Sequence, residues 1–277
     1  MLGVGLVGGG SRGAFQAGSI LALLEYLKDK KIDNFVKVSS SVGTLNGLIL
    51  HANDSEALKH LWLNIQTRDV YKKGWFDIVG SYKRKWVYDN SPLRKLIKDV
   101  VEGLYEPLMK NPNPFYISTT NLTSGVNYIR EIKTLKKDEL IEFALASASP
   151  PIYFPTVQFG NFELCDSGVT DNFGITKLIA AGCDEIILLM PSLPDPGEEP
   201  KNILELFVKV TQTSMNAYLS KEVQCLNSVN SLMRDRKIKL DLVYPDKPYN
   251  FGFLDFDYKN KQEVMDEGYK RFKECLS

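Results

Sequence analysis

The sequence predicts an α/β protein, a three-layer α/β/α sandwich built around a mostly parallel sheet. Short apolar segments typical of buried strands alternate along the chain with longer segments of helical periodicity, which indicates a sheet covered by helices on both faces. Hydrophobic residues make up 44% and charged residues 25% of the 277 positions, which is the ordinary composition of a globular protein. We expect one domain over residues 1–277.

Two strand–turn–helix units open the chain. Residues 2–7 form a short apolar strand that ends in glycines, and apolar side chains then recur at helical spacing from Ala14 to Leu27. A second strand near Phe35–Ser40 turns at Ser41 into an apolar helix that continues through Leu50. The next predicted elements are a helix over residues 55–65, a helix starting at Pro92 with Ser91 as N-cap, strands over 115–119 and 128–132, and a helix over 137–146.

The alternation continues through the second half of the chain. A helix over residues 173–181 lies between strands near 162–165 and 185–190. A long helix over 202–233, a strand over 238–244 and a helix over 259–275 complete the pattern.

Composition excludes several classes of protein. Lys+Arg and Asp+Glu both number 34, so the basic excess expected of a nucleic-acid binder is missing. The four cysteines form no C-x-x-C pair, so we expect no metal site and no redox centre. The N-terminus has no charged segment or cleavage site of a secretory signal, and no apolar segment is long enough to span a membrane. We therefore expect a cytoplasmic protein.

A glycine turn follows the first strand and opens the first helix. It contains Gly8, Gly9, Gly10, Arg12 and Gly13. Three interpretations fit: the G-x-G-x-x-G fingerprint of a dinucleotide site, an oxyanion hole made of unhindered backbone N–H groups at a helix N-terminus, and a purely structural turn. The residues alone leave these three interpretations open.

A serine turn follows the second strand. Ser41 lies between Ser39 and Gly43, where a strand end meets a helix start, and a nucleophile elbow needs that geometry. The usual elbow is G-x-S-x-G, and Ser39 stands in place of its first glycine. The alternative is that the serines only cap the helix.

The two histidines, His51 and His60, are poor partners for Ser41. If the helix after Ser41 continues to His51, the two residues are separated by about 15 Å at the α-helical rise. Proton transfer needs direct hydrogen-bond reach or one bridging water. If Ser41 is a nucleophile, its base is therefore expected to be another kind of residue.

An aspartate turn follows a later strand. Asp166 stands at the predicted strand end and Gly168 follows it in the turn. A carboxylate in contact with a serine hydroxyl can deprotonate it, and partial burial would raise its pKa toward a useful value. The alternative is an Asx-type turn without catalytic function.

Taken in order, these turns resemble the motifs of the patatin-like phospholipases. The glycine motif G-G-G-x-R-G is intact at residues 8–13, and the elbow with its helix corresponds to residues 39–47. The acid segment corresponds to residues 166–172. Two more segments fit, residues 90–93 at a helix start and residues 146–155 before the aspartate. The resemblance covers about residues 3–190.

This resemblance implies a serine–aspartate dyad that cleaves ester bonds of phospholipids or other acyl lipids through an acyl-enzyme. Ser41 is the implied nucleophile and Asp166 its base, with no metal and no cofactor. The glycine turn, with Gly8, Gly9, Gly10, Arg12 and Gly13, is the implied oxyanion hole. Ser39, Gly43 and Gly168 are the implied supports of the elbow and the acid turn. Two positions depart from the family pattern, since Ser39 and Ser167 replace glycines. We expect these replacements to affect the rate of ester cleavage more than the fold.

Three other functions stay open at this stage. An acyltransferase would use the same residues with an alcohol acceptor, a nucleotide-binding protein would use the glycine turn, and a silent scaffold would use neither. Residues 71–88 interleave lysine and arginine with aromatic side chains, which suits peripheral contact with a membrane. Packing of those aromatics on the core is the alternative.

Overall fold

The structure is a computed structural model, and it describes residues 1–72, 85–193, 199–200, 203–232 and 237–276. The strands are β1 (Leu2–Leu6), β2 (Phe35–Ser39), β3 (Phe115–Asn121), β4 (Val126–Glu131), β5 (Val157–Phe159), β6 (Phe162–Asp166), β7 (Glu185–Leu189) and β8 (Lys239–Val243). The helices are α1 (Gly13–Lys30), α2 (Val42–His51), α3 (Ser55–Asn64), α4 (Thr67–Val70), α5 (Ser91–Lys110), α6 (Lys137–Ser147), α7 (Ile175–Ala180), α8 (Ile203–Leu232) and α9 (Lys261–Leu276).

These strands form one sheet, hydrogen-bonded in the order β5-β6-β3-β2-β1-β7-β8, with β4 also paired to β3. The pairs that β1 forms with β2 and β7 are parallel, and so are the pairs β2–β3 and β7–β8. The pairs that β3 forms with β4 and β6, and the pair β5–β6, are antiparallel. The predicted mostly parallel sheet is confirmed.

Helices cover both faces of this sheet. Apolar side chains of β1, such as Val4 and Leu6, pack in a buried cluster with α1, α2, α3, α5, α6 and α9. On the opposite face, Val36 and Val38 of β2 pack in a second cluster with α7 and α8. Alternate strand residues point to opposite faces, so one strand can serve both clusters. The predicted three-layer α/β/α architecture is therefore observed.

The register of β3 explains how two distant parts of the chain meet. Residues 115–117 of β3 pair with β2, and residues 119–121 pair with β6. Because β4 pairs with residues 116–121 along the other side of β3, both β2 and β6 lie on the same side. They run toward each other and end close together, β2 at Ser39 opposite Ile117 and β6 at Asp166 opposite Thr119.

Short elements differ most from the sequence-based expectation. Helix α4 and strand β5 are additional to the elements predicted from the sequence. Helix α5 has Asn90 at its N-cap, one residue before the predicted cap. The first two elements are only three or four residues long, and the third difference is at a helix end. Periodicity gives little information in both cases. Among the described residues, no helix combines the length and apolar character needed to cross a bilayer.

Candidate active site

Ser41 occupies a strained turn between β2 and α2. Its backbone has φ 53° and ψ −130°, a conformation that is uncommon for a residue with a side chain. Gly43 lets the turn approach β1, since a Cβ there would lie 2.1 Å from the Leu6 carbonyl oxygen. Gly8 also lies against the turn, since a Cβ at this position would be 2.5 Å from Ser41 Cβ. The backbone therefore has the geometry of a nucleophile elbow.

A chain of buried hydroxyl groups holds this turn in place. The Ser41 N–H donates to Ser147 Oγ at 3.1 Å, and Ser147 Oγ lies 2.9 Å from Thr44 Oγ1. Thr44 Oγ1 lies 3.1 Å from Ser39 Oγ. The serine that replaces the first glycine of the usual elbow pattern is therefore part of the hydrogen-bond network that supports the turn.

Asp166 lies at the end of β6 with its carboxyl group buried. Its Oδ1 accepts the Gly168 N–H at 2.8 Å, and its own N–H donates to the Ser149 carbonyl oxygen at 3.0 Å. Burial removes the carboxylate from water and raises the pKa of Asp166 to about 6, while the nearby Ser41 hydroxyl and the hydrogen bond from the Gly168 N–H oppose that rise. A carboxyl group with this pKa is ionised at neutral pH but far more basic than an exposed one.

Ser41 and Asp166 line the same cleft. The Ser41 hydroxyl approaches the Asp166 carboxyl and lowers its pKa in part. The approach falls short of a regular hydrogen bond, so Asp166 Oδ2 has no regular partner among the described residues. Catalytic hydrogen bonds are often loose in ligand-free proteins and tighten when substrate binds.

The glycine turn lies beside Ser41, and its N–H groups have different partners. The Gly8 N–H donates to Asn172 Oδ1 at 3.1 Å, and the Gly13 N–H donates to the Gly10 carbonyl oxygen. Among the described residues, the N–H groups of Gly9 and Gly10 have no hydrogen-bond acceptor. Of the predicted oxyanion donors in this turn, those two backbone groups are available to a ligand.

Arg12, another predicted member of the oxyanion hole, contacts a residue that lines the cleft, Ser192. Its Nη1 donates to Ser192 Oγ at 3.1 Å, and burial lowers the pKa of its guanidinium group. Gly13 packs against Trp62, where a Cβ would lie 2.4 Å from the indole ring. Neither Arg12 nor Gly13 lines the cleft with Ser41. Their role in the oxyanion hole stays a prediction.

The cleft around Ser41 contains both polar and apolar side chains. It encloses about 820 Å³ of empty space, its open mouth included. Besides Ser41 and Asp166, its lining includes Asn172 from the acid segment and Val208, Thr211 and Met215 from α8. Neither histidine is among the residues that line it.

Several residues that support the site belong to no motif, and their contacts were not predicted from the sequence. Ser147 and Ser149 contact the backbones of Ser41 and Asp166, and Asn90 donates to Ser149 Oγ at 2.9 Å. Asn172 links the glycine turn to α8, because its Nδ2 lies 3.1 Å from Met215 Sδ. All lie in segments that the family resemblance had marked, but these residues themselves had been given no role.

The membrane-contact prediction concerns residues 71–88, of which residues 73–84 lie outside the described part of the chain. Of the remainder, the Tyr88 ring lies 4.5 Å from the Tyr71 ring and 6.2 Å from the Tyr153 ring. These tyrosines pack on the body of the protein.

A comparison with protein-family models matches residues 6–179 to the patatin-like phospholipases. The chain belongs to the patatin-like phospholipase family. The match includes the glycine turn, Ser41 and Asp166, and it therefore covers every predicted site residue. No match was found among the curated proteins.

A comparison with solved structures finds the crystal structure of VipD from Legionella pneumophila. The TM-score is 0.44 and the sequence identity is 14%. The alignment covers 99% of this patatin-like chain and 66% of the VipD chain.

Proposed function

We propose that this patatin-like protein is a lipid acyl hydrolase in which Ser41 and Asp166 form a catalytic dyad. The observation that carries the proposal is the meeting of a strained serine turn and a buried carboxyl group in one cleft, beside two free backbone N–H groups. Membership of the family favours this interpretation of the glycine turn over a dinucleotide site.

The reaction begins when Ser41 Oγ attacks the carbonyl carbon of an ester. Asp166 takes the hydroxyl proton on Oδ2, the oxygen that has no regular partner, while Gly168 N–H holds Oδ1. The carbonyl oxygen becomes negatively charged and accepts the N–H groups of Gly9 and Gly10, which supply electrostatic stabilisation. Gly8 contributes indirectly, since its N–H is held by Asn172.

The tetrahedral intermediate then collapses. The carbon–oxygen bond to the alcohol breaks, and Asp166 returns its proton to the leaving alkoxide. Asp166 next takes a proton from water, which attacks the acyl-enzyme, and Ser41 is released with that proton. A carboxyl pKa near 6 suits this double task, because the same group must accept and donate a proton near neutral pH.

Hydrolysis of p-nitrophenyl butyrate tests the dyad. We expect Ser41→Ala and Asp166→Asn each to lower kcat/KM by at least about 10³-fold, as removal of single dyad or triad members does in serine hydrolases. Both variants should keep the circular dichroism of the wild type. A fluorophosphonate probe should label the wild type and fail to label Ser41→Ala.

Ser40→Ala is the matched control, since Ser40 is the adjacent buried serine and lines neither Ser41 cavity. This variant should retain activity and labelling. Undiminished turnover by a folded Ser41→Ala variant would refute the proposed dyad.

A further inference from the structure

Two cavities, and not one, reach Ser41. The first is the cleft that contains Asp166. The second, called here the inner cavity, lies between α2, α4 and α5 and is lined by side chains that include Leu45, Ile65, Val70, Leu93, Phe154 and Phe256. Ser41, Pro150 and Phe253 line both cavities and separate them.

Residues of the glycine turn also line both cavities. Gly9 lines the cleft and Gly10 lines the inner cavity. The two residues whose N–H groups lack an acceptor therefore line different cavities, and Ser41 lines both. A carbonyl carbon attacked by Ser41 can then place one substituent in each cavity.

We propose that the inner cavity binds the acyl chain of the substrate and that the cleft binds its alcohol portion; this inference rests on the proposed dyad. Asp166 lines the cleft and not the inner cavity. The same carboxyl group must protonate the departing alcohol and deprotonate the incoming water. Both therefore have to be on the Asp166 side of Ser41, and the acyl chain is left with the opposite side.

The chemical character of each cavity agrees with this assignment. Among the described residues that line the inner cavity, Ser41 is the only polar one. Transfer of an alkyl chain from water to such a lining is favourable by about 0.8 kcal/mol per methylene. The cleft is also mostly apolar, but it adds the polar side chains of Asn172, Thr211 and Gln212, which can bind the oxygens of a glycerol or headgroup portion.

The size of the inner cavity limits the chain it can take. It encloses about 460 Å³ of empty space, with any opening to solvent included. That figure is an upper bound on the room for an acyl chain, and it is smaller than the roughly 820 Å³ of the cleft.

A chain-length series tests the assignment. The esters are p-nitrophenyl acetate, butyrate, octanoate and laurate, which keep the alcohol constant. Leu93→Phe and Val70→Phe narrow the inner cavity, and we expect each to lower kcat/KM for octanoate relative to acetate by roughly tenfold or more. Leu93→Ala widens the cavity and should move the preference toward laurate.

Leu96→Phe is the matched control for Leu93→Phe. It introduces the same side chain one turn further along α5, at a half-buried residue that lines neither cavity. The octanoate-to-acetate ratio should stay within about twofold of the wild-type ratio. Val208→Phe, in the cleft alone, should also keep that ratio but slow the hydrolysis of octanoate esters of bulkier alcohols.

The outcomes separate the inference from the proposed function. Acetate hydrolysis by each variant shows that it is folded and active, because the acetyl group is the shortest acyl group of the series and depends least on the inner cavity. Equal ratios in Leu93→Phe and Leu96→Phe, or a loss of chain selectivity in Val208→Phe alone, would overturn the inference while the dyad stands. A wild type that hydrolyses no ester and resists fluorophosphonate labelling would remove the dyad, and the inference with it.

Discussion

At the scale of single residues, Asp166 combines two requirements that usually conflict. Proton abstraction needs a basic carboxylate, and an exposed carboxylate is only weakly basic. Burial provides the basicity by disfavouring the charged form. The Gly168 N–H bond to Oδ1 retains part of the stabilisation of that charge, so the group stays ionised at neutral pH.

This environment predicts the pH dependence of hydrolysis. Asp166 acts as a base in its ionised form, and the pKa of its carboxyl is about 6. For p-nitrophenyl butyrate, kcat/KM should therefore rise with pH, reach half of its plateau near pH 6 and change little above about pH 7. A pH–rate profile of the free enzyme between pH 4.5 and 8 measures this.

Glu222 provides the control for that profile. Burial raises the pKa of this carboxyl group too, to about 7. Glu222 lies on α8, accepts a hydrogen bond from the Thr176 hydroxyl and does not line the cleft. Glu222→Gln should keep the acidic limb at the wild-type position. A shift of the acidic limb in Glu222→Gln would show that Asp166 is not the titrating base.

At the scale of elements, three turns that follow strands carry the proposed chemistry, and the sequence predicted each of them. Gly8–Gly13, Ser41 and Asp166 were predicted because strand and helix periodicity change at those points and because their motifs resemble a known family. The opposed approach of β2 and β6 along β3 was not predictable. Strand direction and pairing depend on contacts between residues far apart in the chain, which local periodicity does not encode.

The same limit explains the missed contacts within the site. Ser147 supports Ser41 from a position 106 residues away, and Asn172 binds Gly8 from 164 residues away. Serine and asparagine are common in turns, so neither residue type distinguishes a site by itself. Only the fold brings these partners together.

Helix pairing offers a prediction at this scale, because α1 and α9 touch through glycines. A Cβ at Gly268 would lie 1.9 Å from the Phe15 carbonyl oxygen, a backbone atom that cannot move without displacing α1. Gly268→Ala should therefore destabilise the protein by about 1–3 kcal/mol, as overpacking does. Urea unfolding followed by circular dichroism measures the loss.

Gly103→Ala is the matched control for Gly268→Ala. Gly103 lies inside α5, and a Cβ there would meet no atom within 4 Å. Alanine should instead stabilise this helix by about 0.5–1 kcal/mol. Equal effects of the two substitutions would contradict the close contact between α1 and α9.

At the scale of the whole molecule, the core contains an ionisable group that the proposed mechanism does not use. Lys37 lies in the middle of β2 with its side chain fully buried, and its Nζ has no hydrogen-bond partner among the described residues. Nζ lies 3.9 Å from the centre of the Phe35 ring. Burial lowers the pKa of Lys37 to about 7. Burial also lowers the pKa of His51 to about 3, and the charge of Lys37 adds to that effect.

This lysine makes the stability of the fold depend on pH. Its pKa is lower in the folded than in the unfolded chain, 7 against 10.5, so its penalty grows as pH falls from about 10 and is complete below about 7. Lys37→Met removes the charge at similar size and should stabilise the protein by up to about 5 kcal/mol at pH 6, with a smaller gain at pH 9. Chemical unfolding at both pH values measures this gain.

Lys28→Met is the control at an exposed position, and it should change the free energy of unfolding by less than about 0.5 kcal/mol at either pH. A gain from Lys37→Met that is equal at pH 6 and pH 9 would mean that Lys37 does not titrate within the core.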